Sequence, residues 1–101
     1  MVQSLIVLNA LIYEVVMLPA CRLLGTLGCH LCEQAQAILL PFAARGLEVE
    51  LIDIAQTEEM VERYGLLIPV LQRCDTGNEL NWPFATWQVA EFLELDAEFV
   101  S

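Results

Sequence analysis

Residues 28–32 read Gly28-Cys29-His30-Leu31-Cys32, and what flanks this pentapeptide decides the fold. Upstream, residues 20–26 (Ala-Cys-Arg-Leu-Leu-Gly-Thr) form an apolar run of strand length that gives way to the small, flexible Thr26-Leu27-Gly28. Downstream, Leu31, Ala35, Ile38, Leu39 and Phe42 recur at helical spacing, Arg45 falls in the last turn and Gly46 supplies a stop. The cysteines therefore stand at a strand-to-helix junction. Pro41, which lacks an N–H and crowds the preceding turn, is expected to kink or restart this helix.

Further along, residues 47–54 alternate around Glu48, Val49, Glu50 and Leu51 as a strand does, and Thr57 with Glu58 and Glu59 opens a short helix closed by Gly65. Val70 to Cys74 and Glu79 to Trp82 flank Asp75-Thr76-Gly77-Asn78, turn residues that join two strands into a hairpin. Residues 84–95 carry a last amphipathic pattern. The order is βαβ followed by ββα, which predicts an α/β domain with a four-stranded mixed sheet flanked by helices.

Two cysteines three apart at a helix start can close a small disulfide ring. The free N–H groups and partial positive charge of the helix N-terminus favour thiolate over thiol. Cys29 is then the exposed nucleophile, its pKa drawn below the free value of about 8.5 toward the range of ~3.5 to 7.5 met in such motifs. Cys32, one turn inside, is the resolving thiol, and a protonated His30 between them would steady the thiolate. This chemistry needs neither a metal nor a tightly bound organic cofactor. The competing reading is a metal site, but the pair supplies only two of the four ligands that a structural zinc takes. His30, or Cys21 and Cys74, would have to complete it. A lone buried cysteine on a strand is more often a small apolar residue, so no metal ligand is assigned; a cluster shared between two chains through exposed Cys29 is the remaining version.

Composition narrows the partners. With 101 residues the chain holds one domain and one core. Four Lys+Arg, all arginines, face 14 Asp+Glu for a formal net charge of -10. Such a surface repels phosphate backbones and anionic bilayers, which argues against nucleic-acid and membrane partners and for other proteins. The first twenty residues are apolar, yet no Lys or Arg precedes Arg22, so the positive region of an export signal is missing. Asn9 and Glu14 interrupt the stretch, and it is shorter than the ~20 residues of a transmembrane helix. A cytoplasmic location is the expectation, with residues 1–19 an apolar extension, 20–96 the domain and 97–101 a tail.

The cysteine motif after a first strand, Ile68-Pro69-Val70 about forty residues on, and the hairpin-helix ending together resemble the glutaredoxin branch of the thioredoxin superfamily. More narrowly, Cys-His-Leu-Cys-Glu-Gln-Ala at 29–35, Tyr-Gly-Leu-Leu-Ile-Pro-Val-Leu at 64–71 and Leu-Asn-Trp-Pro-Phe at 80–84 are similar to small bacterial glutaredoxin-like proteins once grouped as a domain of unknown function. The resemblance covers residues 20–95 and implies a thioredoxin-like fold. It also implies a cis peptide bond before Pro69, beside the active cysteines, with the Ile68 backbone pairing to an extended substrate. Trp82 either lines that groove or plugs the core, whereas Phe84 is expected in the core and Pro83 in the first turn of the last helix.

The chain departs from ordinary glutaredoxins where they grip glutathione. They carry a basic residue just before the motif and a Gly-Gly plus Asp arrangement before the last helix; here residues 81–84 are Asn-Trp-Pro-Phe and no Lys exists anywhere. The implied function is thiol-disulfide exchange with protein disulfides, glutathione mixed disulfides being the second substrate class and glutathione an optional co-substrate. The alternatives are a redox-sensing or idle adaptor and an iron-sulfur or zinc carrier using the same cysteines.

Overall fold

In the computed structural model, residues 18–96 and Phe99 are described. Strand β1 (Cys21–Gly25) leads through the Thr26–Gly28 turn into helix α1 (His30–Ala44). Strand β2 (Val49–Asp53) passes into a one-turn 3-10 helix (Ile54–Gln56) and helix α2 (Glu58–Tyr64). A hairpin of β3 (Val70–Arg73) and β4 (Glu79–Asn81) precedes helix α3 (Thr86–Phe92). The sheet order is β2-β1-β3-β4, with β1 parallel to β2 and antiparallel to β3, and β3 antiparallel to β4. This is the mixed four-stranded α/β sheet that the sequence predicts. The residues expected to form an N-terminal extension lie outside the described ones up to position 17; Leu18 packs against the core. Of the tail, Phe99 stacks on Phe42 with ring centroids 6.0 Å apart.

The pleat of β1 sorts the core into two layers. Cys21 and Leu23 face Ala35, Leu39 and Phe42 of α1 and Val89 and Ala90 of α3, with Leu71 and Phe84 completing the cluster. Leu24 and Val70 point the other way, against Ile54, Tyr64 and Met60. Helices α1 and α3 thus cover one face of the sheet and α2 the other, as period-two alternation on a central strand requires.

Two expectations are corrected and a third, for Pro41, is narrowed. Helix α1 runs through Pro41 without a restart. Pro41 and Ala37, whose carbonyl loses its intrahelical partner, are both exposed. Water can take that carbonyl, while buried Leu39 and Phe42 hold the helix to the sheet on either side. The last helix is shorter than the 84–95 expected. Phe84 enters the core from extended chain, Ala85 is the N-cap, and the Ala85 N–H donates to Gln88 Oε1 at 2.8 Å, which starts the helix two residues late and leaves Pro83 outside its first turn. Leu31, read as part of the apolar stripe, is exposed.

Among the described residues one charged group is buried. Arg73, 8% exposed, donates to both carboxylate oxygens of Asp75 at 2.9 and 2.7 Å, to Glu94 Oε2 at 2.8 Å and to the Phe92 carbonyl at 2.9 Å. It clamps the hairpin to the end of α3. These bonds raise the guanidinium pKa further and hold the Asp75 carboxyl below its ordinary value.

Candidate functional site

The site lies at the C-terminal end of β1. Gly28, at φ 75, takes the left-handed turn that brings the strand round to α1, a conformation costly for any residue with a Cβ. Cys29 follows as the N-cap, extended at φ -88 and ψ 107, and its side chain accepts the Cys32 N–H at 3.2 Å. A sulfur in this place satisfies one of the orphan donors of the helix start and sits in its positive field. Cys29 is half-buried and Cys32 buried; their Cα atoms are 5.2 Å apart and the two sulfurs form a disulfide. His30, the first helical residue, is exposed.

Cys32 owes its position to Gly25, the last residue of β1. A Cβ on Gly25 would lie 3.0 Å from Cys32 Sγ and 3.3 Å from Cys32 Cβ, so the bare backbone leaves the space that the thiol fills. Gly25 pairs with Asp53 across β1 and β2. The Asp53 carboxylate accepts the Thr26 hydroxyl at 3.0 Å and the Ala55 N–H at 2.9 Å, pinning the turn before the cysteines to the start of the 3-10 helix. Between this pair and α1 a small cleft opens beside Cys32, lined among others by Thr26, Leu27, Gln36, Leu51 and Asp53.

The second wall is the segment before β3. Leu24 pairs with Val70, which places Ile68 and Pro69 across from the end of β1. The Ile68–Pro69 peptide bond is cis, as the resemblance implies, and the Trp82–Pro83 bond is cis as well. Pro69 is fully buried and Ile68 half-buried. The Ile68 N–H donates to the Tyr64 carbonyl at 3.1 Å, and the Pro69 carbonyl accepts the Trp82 N–H at 3.2 Å. Trp82 therefore borders Pro69 through its backbone, while its ring packs on the core and meets Phe84 edge-on at 5.0 Å. Cys29, His30, Cys32, Ile68, Pro69 and Trp82 are thus all at this end of the sheet. Gly25 and the Thr26–Asp53 pair were not singled out from the sequence; the available signal was a glycine where β1 parity calls for an inward side chain.

Cys21 and Cys74 are at the other end of β1, where the Cys74 N–H donates to the Ala20 carbonyl at 2.9 Å. They cannot join Cys29 and Cys32 around one ion within a chain. Among the described residues no three His, Cys, Asp or Glu side chains are grouped to hold a metal, and no helix is long and apolar enough to cross a membrane.

A mixed sheet with β1 at its centre, a Cys-x-x-Cys disulfide capping the helix that follows it and a cis-proline opposite define a thioredoxin-like domain. Residues 20–94 match the glutaredoxin-like domain (DUF836), and the chain belongs to that family. It is similar to the structural-genomics target protein XcR50 from X. campestris. The X-ray structure of XcR50 is 32% identical, covers 73% of this chain and 95% of its own, and superposes with a TM-score of 0.66. The solution structure of the same target, also 32% identical, covers 74% and 92% with a TM-score of 0.62. Among curated proteins no relative matches it.

Proposed function

We propose that the protein is a cytoplasmic thiol-disulfide oxidoreductase of the glutaredoxin-like type, acting on protein disulfides and, as a second class, on glutathione mixed disulfides. The observation that carries this is the Cys29 sulfur seated as the N-cap of α1 within bridging reach of Cys32. The Cys29 thiolate attacks one sulfur of a target disulfide, forming a mixed disulfide and releasing the other half as a thiolate that takes up a proton. Cys32 then gives up its proton and attacks the Cys29 sulfur, so the second half leaves as a thiol. The target gains two electrons and the protein is left as the Cys29–Cys32 disulfide.

The helix N-terminus stabilises the Cys29 thiolate that makes the first attack, and His30, next along the chain, adds positive charge when protonated. Ile68, Pro69 and Trp82 form the wall along which the substrate backbone lies. No resident cofactor is required, because two molecules of a monothiol such as reduced glutathione can return the two electrons and leave as its disulfide. Family membership supports the redox chemistry.

The test is the reduction potential of the Cys29–Cys32 couple, obtained by equilibrating the protein with glutathione redox buffers and counting free thiols by mass. A reversible two-electron couple between about -180 and -280 mV is expected. No reversible couple in that window, or thiols blocked by bound metal on purification, moves the function to the adaptor or the cluster carrier.

A further inference from the structure

Of the eight large apolar side chains exposed among the described residues, four leucines flank the cysteine pair. Leu27 (90% exposed) stands in the turn before Gly28, Leu31 lies between the two cysteines, and Leu66 (fully exposed) and Leu67 lead into Ile68–Pro69 on the opposite wall. Four leucines in two short segments at one end of the sheet make a nonpolar rim on an otherwise acidic protein, the kind of exposed patch that marks a contact surface.

Three of the four arginines are elsewhere. Arg73 is held by Asp75, Glu94 and the Phe92 carbonyl at the far end of β3. Arg22 bonds Gln72 and pairs with Glu50 near the start of β1, and Arg45 follows the C-terminus of α1, a helix of 15 residues that begins at the cysteines. Arg63, in the last turn of α2 and three residues before Leu66, is the one arginine beside the rim, and its guanidinium stacks over the Tyr64 ring. Beside the cysteines, Glu33 occupies the first turn of α1. An anionic thiol tripeptide with two carboxylates meets a single guanidinium beside this rim, already stacked on Tyr64, and the field of a chain of net charge -10, whereas a neutral or basic chain is attracted and can bury the leucines.

Resting on the exchange reading above, we infer that the preferred target is a disulfide in an extended, leucine- or aromatic-bearing, neutral-to-basic polypeptide segment, which lies across Leu27, Leu31, Leu66 and Leu67. Glutathione mixed disulfides are the poor substrates. The Ile68 N–H is engaged with the Tyr64 carbonyl, so the leucines, and not backbone pairing, select the segment.

The experiment is a single-turnover reaction of the full, reduced chain, quenched with acid and read by mass. Its probes are three mixed disulfides of 2-mercaptoethanol: on a short peptide whose central cysteine is flanked by Leu, Phe and Arg, on the same peptide with Ser and Glu flanks, and on glutathione. The apolar, basic peptide is expected to react about tenfold faster than either of the others, the gain from burying one or two leucines. In the double variant Leu27→Ser, Leu66→Ser, whose sites are too exposed to matter for folding, the advantage shrinks to about twofold. Leu40→Ser, an exposed leucine farther along α1, retains it. Glutathione reacting as fast as the apolar peptide, or a preference that survives the double variant, overturns the inference and leaves the exchange chemistry standing. If 2-hydroxyethyl disulfide, a small neutral control, is not reduced either, the exchange reading itself falls and the inference with it.

Discussion

Strand β1 has a cysteine pair at each end, and the two pairs meet opposite surroundings. At its start Cys21 is sealed in the core, its thiol no closer to a partner than the Pro19 carbonyl at 3.9 Å. Burial pushes its pKa up to about 11, with the charge of Cys74 adding to the rise and Arg73 opposing it. At the other end Cys29 is half-exposed and receives an N–H from the helix it caps. The residue type is the same; what differs is whether the neighbouring element offers donors or hydrocarbon. Reactivity follows from that offer.

The sharpest way to break the contrast is to remove each sulfur in turn. Cys29→Ser is expected to abolish disulfide exchange, a loss of about a thousandfold or more, because no other thiol occupies the helix start. Cys32→Ser leaves the first attack intact and accumulates a mixed disulfide on Cys29, visible as an added mass in non-reducing spectra. Cys21→Ser and Cys74→Ser retain exchange within about twofold. Activity lost equally from all four variants would place the function outside the motif.

Alkylation compares the pairs without mutation. At pH 8 a thiol with a pKa of about 11 is ionised to roughly one part in a thousand, and Cys21 is buried besides. Iodoacetamide on the native, reduced protein is therefore expected to label exposed Cys74 about a hundredfold faster than Cys21, as read by peptide mass. The folded value lies above the ordinary 9.0, so the stability Cys21 contributes is fully present below pH 9.0 and is lost as pH rises through about 11. A rate for Cys21 equal to that of Cys74 would mean the start of β1 opens readily.

A smaller effect is expected from Gly25→Ala, which acts on the reactive pair from beneath. The added methyl would come within 3.0 Å of Cys32 Sγ, so the thiol has to shift from its line of attack on Cys29. Resolution of a preformed mixed disulfide should slow about tenfold, while attack by Cys29 on a small disulfide changes little. Stopped quenching of the two half-reactions separates them; equal rates in both would show that the space over Gly25 is not what positions Cys32.

Much of this frame was legible in the sequence, and the parts that were not have physical causes. The strand-to-helix junction announces itself through Gly28, the cysteine spacing and the period of Ala35, Leu39 and Phe42, all local signals. Helix α3 is misjudged at its end because Leu93 and Leu95 pack on the core from a turn, where Glu94 stands at φ 60, and so imitate helical spacing. That α1 continues through Pro41 without a restart was not legible, because the cost of the proline depends on whether the freed carbonyl reaches water, a property of the assembled surface. The leucine rim is hidden for the same reason: Leu31 fits the apolar stripe by count, and only the finished fold leaves it uncovered. The role of Gly25 depends on a contact seven residues away in sequence, across the turn.

Arg73 gives the mildest comparison, since it lies at the quiet end of the sheet and carries stability without chemistry. Arg73→Met is expected to lower Tm by roughly 5 to 10 °C, through loss of its bonds to Asp75, Glu94 and the Phe92 carbonyl, and to leave the exchange rate unchanged. The sign of its pH dependence is set by Asp75. The guanidinium hydrogen bond holds that carboxyl below its ordinary 3.8, so its contribution is complete above pH 3.8 and disappears as pH falls through the lowered value. Calorimetry from about pH 7 down to about pH 2 should accordingly find the two Tm curves drawing together in acid. A gap that stays constant over that range would assign the clamp to the bond with the Phe92 carbonyl and the packing of the Arg73 methylenes, neither of which titrates.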